Sequence, residues 1–212
     1  MYYESSTEIN KIIESLHIEG MAAGDVVDHI DHGELVSRLA DMLALRLNLD
    51  DSTRELIHNA SVLHDVGKLK ISQNIYGRVK GGLRIVEMRY MRTHPKLGAE
   101  MLMECGYPEE LVSAVLHHHE SFDGSGYPSA ISGEEIPYAS RLIKVCDAFA
   151  TLISDRPYRR AFEAQTALNS MIADNMMYDI KIFVAFMDLT HTSEFENILS
   201  FADDINKKHH YM

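Results

Sequence analysis

The chain has 212 residues, 46% of them hydrophobic, and its 20 lysines and arginines against 32 acidic residues give a formal net charge of −12. This length supports a buried core and favours one compact domain, with no room for a separate sensor or receiver domain. The negative field repels polyanions and excludes unspecific binding to a nucleic-acid polymer. A phosphate-bearing substrate would therefore need positive charge supplied locally.

Nothing in the sequence predicts export or insertion into a membrane. The first 18 residues mix acidic with apolar side chains and do not form a signal peptide. The longest apolar run, residues 182–187, is far shorter than the about 20 residues of a membrane helix. Cys105 and Cys146 lack CxxC spacing and predict neither a disulfide framework nor a thiolate metal site. We therefore expect a cytoplasmic location.

The apolar pattern predicts an all-α chain, and no regular alternation favours a sheet. We expect an N-terminal helical extension over residues 1–24, a core over 25–190, and a C-terminal helix and tail over 191–212. At the start of the core, apolar residues at i, i+3, i+4 and i+7 predict a first helix from about Asp25 to Leu47.

A capping box of Ser52 and Glu55 predicts the start of a second helix, which should run into His64 and Asp65. The glycine-bearing segments 77–82 and 123–128 are the main loop candidates. Further helices are predicted at 84–92, 95–104, 108–118, 137–153 and 163–175, with two more in the final 35 residues.

Histidine and aspartate recur in short pieces that are typical of a metal site. Imidazole and carboxylate groups bind mid-row divalent ions, and adjacent pairs let one short segment supply two ligands. Side chains on facing helices can converge inside a helical bundle. The pieces, in chain order, are Asp28 with His32, His64-Asp65 followed by Gly67-Lys68, His94, His118-His119 and Asp147. The sequence predicts a metal-dependent hydrolase.

The order and wording of these motifs resemble the HD-GYP family, a branch of the HD-domain phosphohydrolases. The resemblance covers about residues 28–189. It implies a single-domain helical bundle of the HD-domain type, with the metal site in its interior, that hydrolyses cyclic di-GMP. Its motifs are His64-Asp65-Val66-Gly67-Lys68, His94-Pro95, His118-His119-Glu120, Gly126-Tyr127-Pro128, Asp147 and the segment 155–159.

Carried over residue by residue, the resemblance implies two metal sites that share Asp65, and the ions are often iron or manganese. Two six-coordinate ions offer about twelve positions, of which these side chains fill eight if Asp65 counts twice, so roughly four remain. Asp28 stands where some members carry a carboxylate for a third ion. The implied ligands are His32, His64, Asp65 and Asp147 for one ion, and Asp65, His94, His118 and His119 for the other.

The implied reaction is attack of a metal-bridging hydroxide on phosphorus, in line with the departing 3′ oxygen. One cut would give pGpG, and a second would give GMP. Asp65 and Lys68 would act in catalysis, because Lys68 can neutralise oxygens of the transition state together with the ions. The resemblance assigns Arg156 and Arg159 to the other phosphate or the guanine of the substrate, and Tyr127 to the shape of the pocket.

Three hypotheses on function are open. The favoured one is a cyclic-dinucleotide phosphodiesterase. The second is a metal-bound but inactive signalling module, which would act through a protein partner such as a cyclase domain. The third is an HD phosphohydrolase that acts on another nucleotide or on a phosphomonoester.

The same residues also have structural interpretations. Lys68 could be an exposed charge, Arg156 and Arg159 could pair with surface acids, and an acidic residue at Asp28 suits the start of a helix. The segment 123–128 could be a simple turn. We assign ordinary core or surface roles to the remaining histidines, which are His17, His29, His58, His117, His191, His209 and His210.

Three positions depart from the family pattern without removing an implied ligand. Ala150 replaces a common aspartate, residues 76–82 replace a Lys-Pro-Gly segment, and Ile180 stands where proline often occurs. These departures bear on loop geometry and on substrate preference.

Overall fold

The computed structural model describes residues 2, 4–16, 23–75, 85–156 and 159–210. Over these residues the chain is helical, and its extended pairing is limited to one isolated bridge between Arg156 and Arg159. The all-α prediction is confirmed. The predicted loop at 77–82 and the departure at 76–82 lie outside the described residues.

Eleven α-helices and two short 3-10 turns, at 133–135 and 175–177, are described. The helices are α1 (Ser5–Ser15), α2 (Ala23–Arg46), α3 (Asp51–Leu63), α4 (Lys68–Ile75), α5 (Ile85–Met91), α6 (His94–Glu104), α7 (Glu109–Leu116), α8 (Tyr138–Leu152), α9 (Ala164–Ala173), α10 (Ile180–Leu189) and α11 (Ser193–His210).

Most predicted helices are present within two residues of the expected bounds, but two local predictions are wrong. The start of α3 is not a capping box of Ser52 and Glu55, because Asp50 precedes the helix and its carboxylate accepts the Thr53 N–H at 3.0 Å. A carboxylate is a strong N-cap acceptor, and the use of Asp50 in place of Ser52 moves the start of the helix two residues earlier. Helix α4 was not predicted, because its buried apolar residues Leu69 and Ile71 are two apart and do not give the i, i+3, i+4 spacing of a helix.

The core lies around α2, α3, α7 and α8, which pack on one another. Leu39 and Leu43 of α2 are fully buried, as are Leu63 of α3 and the pair Val145 and Phe149 of α8. Burying each such side chain stabilises the fold by about 1.5–3 kcal/mol relative to exposing it. The polar residues discussed below lie within these same helices or at their ends, so core packing fixes their positions.

The terminal helices join the same core. Ile9 and Ile12 of α1 are buried against α2 and α3, and Phe195 and Ile198 of α11 are buried in the cluster that includes α2 and α8. The division at residues 24 and 190 therefore stays a prediction. Among the described residues, no helix has both the length and the apolar character needed to span a bilayer.

Candidate metal centre

Two groups of potential metal ligands meet in the interior. In each group, one ligand atom from every residue lies within 4.8 Å of the others. The first group comes from α2, the end of α3 and α8, and the second comes from the turn after α3, the start of α6 and the end of α7. The groups are His32, His64 and Asp147, and Asp65, His94, His118 and His119. The structure thus brings together the seven side chains that the resemblance assigned to two metals.

Three of the imidazoles are held by the C-terminal ends of helices. Nδ1 of His64 lies 2.7 Å from the Ser61 carbonyl, and Nδ1 of His118 lies 2.6 Å from that of Val115. His94 repeats the arrangement with the Met91 carbonyl at 2.8 Å. The last carbonyls of a helix lack partners within it, so an imidazole three residues further on can donate to them. Donation from Nδ1 fixes the tautomer and leaves the Nε2 lone pair facing the interior.

Asp65 lies between the two groups and offers one carboxylate oxygen to each. Its Oδ1 is 3.1 Å from Nε2 of His94 and 3.9 Å from Nε2 of His118. Its Oδ2 is 3.5 Å from Nε2 of His64 and 3.8 Å from Nε2 of His32. This geometry suits a carboxylate that bridges two cations.

Two lone pairs face each other within the second group. Nε2 of His94 and Nε2 of His118 are 3.2 Å apart, although each ring already uses its Nδ1–H on a backbone carbonyl. Neighbouring nitrogens on an octahedral ion with bonds of about 2.1 Å would be about 3 Å apart. His64 Nε2 and Asp65 Oδ1 are also buried without a hydrogen-bond partner. The donor set and its unpartnered atoms therefore fit divalent ions.

The first group is tied to Arg156 through a short relay. Asp147 Oδ1 lies 3.0 Å from His32 Nε2 and accepts the Thr151 hydroxyl at 3.1 Å. The Thr151 oxygen in turn accepts from the Arg156 guanidinium at 3.2 Å. Arg156 thus lies at the edge of the centre and is not paired with a surface acid in the described structure.

Electrostatics keep both aspartates ionised. Burial opposes the charged form of Asp65, but Lys68 and His64 outweigh burial and hold the pKa of Asp65 well below its usual range. The pKa of Asp147 is likewise depressed, because hydrogen bonds to His32 and His64 outweigh its burial. Both carboxylates are therefore available as anionic ligands at neutral pH.

The imidazoles divide into two kinds. Burial and neighbouring imidazoles lower the pKa of His118 and that of His119 well below the usual range. Burial also lowers the pKa of His64, but Asp65 and Asp147 outweigh it and raise that pKa to about 10. In the ion-free centre His64 therefore carries a proton at neutral pH, and a metal must displace it.

Metal uptake by the ion-free protein is expected to release about one proton, from His64, at pH 7.5. The pKa of His64 is about 10, so at any lower pH a proton competes with the metal for this imidazole. The affinity of the centre for metal should therefore rise with pH across the neutral range. Calorimetric titration with Mn²⁺ in two buffers of different ionisation enthalpy measures the release. A His58→Ala variant, which removes an imidazole paired with Asp41 outside the centre, should release the same number. Identical heats in both buffers would contradict the prediction.

The segment after α7 folds over His119. The Tyr127 ring stacks on the His119 ring, with centroids 4.8 Å apart, and the Arg92 guanidinium lies 5.1 Å from the centroid of Tyr127. The buried Glu120 carboxylate accepts the Ser129 N–H at 2.6 Å and so holds the far end of the loop. A Cβ on Gly126 would lie 2.3 Å from the Ser121 nitrogen. The loop is thus packed tightly beside the centre and is more than a simple turn.

Two predicted substrate contacts have different surroundings. The Lys68 ammonium is bound to Oδ2 of Asp65, and its side chain is 20% exposed, so it can still reach a ligand. The Arg159 guanidinium donates to the carbonyls of Leu152 and Thr151 at the end of α8, at 3.0 and 2.9 Å. Arg159 therefore caps this helix, and no acidic side chain among the described residues forms an ion pair with it.

The structure does not bring Asp28 into either ligand group, and the residue is exposed. The next residue, His29, is 9% exposed and has a buried Nε2 without a partner. Neighbouring helical residues differ by roughly 100° around the axis, which is enough to turn one outward and the next inward. The ordinary role that we expected for His29 stays a prediction, and the third-metal role of Asp28 gains no support.

Sequence reasoning also passed over Lys144. This residue lies one turn before Asp147 on α8, and its ammonium donates to the His119 carbonyl at 3.3 Å. The same carbonyl accepts the Tyr127 N–H at 3.3 Å. The sequence signal that could have identified Lys144 is its spacing of three residues from Asp147, which places both on one face of the helix.

Comparison with known proteins identifies the family. The model of the HD domain family matches residues 17–182, and the chain therefore belongs to that family. The predicted membership of the HD domain group is confirmed by this match. A solved structure with a similar fold is Bd1817, described as an HDG"Y"P protein from Bdellovibrio bacteriovorus. It superimposes with a TM-score of 0.63 at 19% identity, covering 76% of this chain and 52% of that one, which shows a shared fold.

Two curated relatives are similar in sequence. The cyclic di-GMP phosphodiesterase PA4108 of Pseudomonas aeruginosa is 37% identical over 157 residues, covering 74% of this chain and 38% of the relative. The 3′3′-cGAMP-specific phosphodiesterase 3 of Vibrio cholerae is 34% identical over 140 residues, covering 66% of this chain and 30% of the relative. The chain thus spans about a third of the length of these relatives.

Proposed function

We propose that this chain is a metal-dependent phosphodiesterase that opens a cyclic dinucleotide, with cyclic di-GMP as the first candidate and linear pGpG as the product. The observation that carries the proposal is the placement of Asp65, whose two oxygens face two separate clusters of imidazole nitrogens. A second cut to GMP belongs to the same proposal.

The donor set supports two divalent ions, iron or manganese, held by the two groups and shared through Asp65. When bound, such ions lower the pKa of a water from about 15.7 towards 7 and neutralise phosphate oxygens. The chain holds the ligands rigidly, through helix carbonyls behind the imidazoles, and leaves both aspartates ionised. The surrounding core excludes bulk water, which strengthens each of these charge interactions.

Local positive charge for a phosphate substrate comes from Lys68 and Arg156. Lys68 lies against Asp65 between the two groups, where it can neutralise oxygens of the reacting phosphate. Arg156 lies beyond Asp147, linked through Thr151, and is placed to bind a second phosphate. In a chain of net charge −12, these cations supply the attraction that the overall field lacks.

Tyr127 stacks on His119, and the exposed Arg92 guanidinium lies over the Tyr127 ring, where a purine base could stack on it. Aromatic rings and guanidinium planes both stack on nucleobases. This position supports the predicted role of Tyr127 in shaping the substrate pocket. Arg159 is less suited to substrate binding, because its guanidinium already donates to backbone carbonyls of α8.

The choice between dinucleotides is a further part of the proposal. The two curated relatives carry names that specify cyclic di-GMP in one case and 3′3′-cGAMP in the other. These substrates differ in one purine, and stacking tolerates either base, so hydrogen bonds to the edge of that purine would decide between them and the metal centre would not. A cytoplasmic location and a protein partner such as a cyclase domain complete the proposal.

The experiment pairs metal analysis with turnover. Protein freed of metal is loaded anaerobically with Fe²⁺ or Mn²⁺, and cyclic di-GMP, 3′3′-cGAMP and p-nitrophenyl phosphate are supplied in parallel. We expect metal-dependent conversion of a cyclic dinucleotide to its linear form, lost in His64→Ala and kept in His58→Ala. Protein that is fully loaded with metal but turns over neither dinucleotide would contradict the proposal. Turnover of p-nitrophenyl phosphate alone would indicate an HD phosphohydrolase with another substrate.

A further inference from the structure

We propose that His29 binds a phosphate oxygen of the substrate through Nε2, together with Lys68, beside the two ligand groups. This inference rests on the proposed function for the identity of the molecule that carries the phosphate. It assigns to His29 a contact with an anion and not with a metal ion.

The first support is position. His29 lies one turn before His32 on α2, and residues three apart share a helix face. His29 is 9% exposed, whereas its neighbour Asp28 is exposed. Its imidazole is therefore turned to the same interior side as the His32 ligand.

The second support is an unpartnered atom. Nε2 of His29 is fully buried, and no hydrogen-bond partner reaches it within the described part of the chain. Buried polar atoms in folded proteins are nearly always hydrogen-bonded, because an unmet one loses its water without compensation. A ligand in the centre can supply the missing partner. No described protein group at Nε2 prevents this nitrogen from carrying the proton.

The third support is the charge around the ring. The charged and titratable groups that act on His29 are Asp65, Lys68, His32 and His64. Lys68 is the lysine that acts on His29, and its ammonium, although bound to Asp65, has two further N–H donors for an anion. A cation at His29 would instead meet Lys68 and the two ions of the centre. The arrangement thus favours phosphate over a third metal.

Burial also keeps the ring uncharged. Burial is the main cause that lowers the pKa of His29 to about 3. A neutral imidazole donates one hydrogen bond throughout the neutral range, while Lys68 supplies the charge.

The test uses a matched pair of variants in Mn²⁺-loaded protein. His29→Phe fills a similar volume without a donor, and His29→Gln retains an N–H donor. Inorganic phosphate is titrated by calorimetry, and KM for cyclic di-GMP is measured in parallel. We expect His29→Phe to weaken phosphate binding and raise KM by about 10- to 100-fold, as for loss of a hydrogen bond to a charged group. His29→Gln should recover part of the loss, and manganese content should equal that of the wild type.

His58→Ala is the control, because His58 pairs with Asp41 outside the centre. Two results would overturn the inference: loss of a manganese equivalent in the folded His29 variants, or phosphate binding within about twofold of the wild type in His29→Phe. If His29→Phe does not fold, His29→Gln and His29→Asn are compared instead, because their side-chain N–H donors extend to different distances from the backbone. Equal phosphate binding by these two variants would also overturn the inference. Lack of wild-type turnover on cyclic dinucleotides would count against the proposed function alone, since phosphate binding is measured separately.

Discussion

Asp65→Asn is expected to lower kcat/KM for the cyclic dinucleotide by at least about 10³-fold and to cost the protein both bound ions. The substitution preserves shape but removes the charge that both imidazole groups face. It also leaves Lys68 without its anionic partner. Elemental analysis of the variant after Mn²⁺ loading, together with turnover under saturating metal, measures the effect.

The matched control is Asp41→Asn, because Asp41 also pairs with a histidine, His58, but lies away from the centre. It should retain wild-type metal content and turnover. Asp65→Asn protein that keeps two ions and more than a tenth of the activity would show that Asp65 does not bridge the two groups.

Gly67→Ala is expected to destabilise the fold by about 3 kcal/mol or more and to reduce metal binding by the second group. A Cβ at this position would lie 2.0 Å from the His94 carbonyl oxygen and 2.5 Å from the Gly98 nitrogen. These are backbone atoms, so the clash cannot be relieved by a rotamer change. Relief requires α6 to move away, and His94 begins that helix. Urea unfolding and metal analysis measure the two effects.

Gly106→Ala provides the comparison for this variant. Gly106 has a φ of +77° and open space around its Cβ position, so alanine there adds only left-handed backbone strain of about 1–2 kcal/mol. Equal unfolding free energies for the two variants would mean that close packing at Gly67 does not set the position of α6.

The ligand residues could be predicted because their motifs are short and ordered along the chain. His64-Asp65 and His118-His119 each follow a helix whose apolar spacing is visible in the sequence. Their convergence from different helices could only be inferred by resemblance, since no local pattern encodes the packing of α3 against α7 and α8. The predicted bridging position of Asp65 agrees with the distances to both groups, whereas its role as a metal ligand stays a prediction.

The details that the sequence did not reveal depend on tertiary context. Asp28 and His29 are adjacent, and helical periodicity alone did not show which of the two side chains turns inward near the start of α2. The choice of Asp50 over Ser52 as N-cap required knowledge of where the backbone bends. The engagement of Arg159 with the end of α8 could not be read from the sequence either, because it depends on how the chain returns after that helix.

The helix ends behind His64, His94 and His118 have a consequence for which ion the protein uses. Since backbone carbonyls orient these rings before any ion arrives, exchanging one transition metal for another requires no rebuilding of the polypeptide. Affinities of sites with nitrogen and oxygen ligands follow a general order across the first-row metals, so the supply of each metal would select the occupant. The turnover of the proposed phosphodiesterase would then follow the available metal.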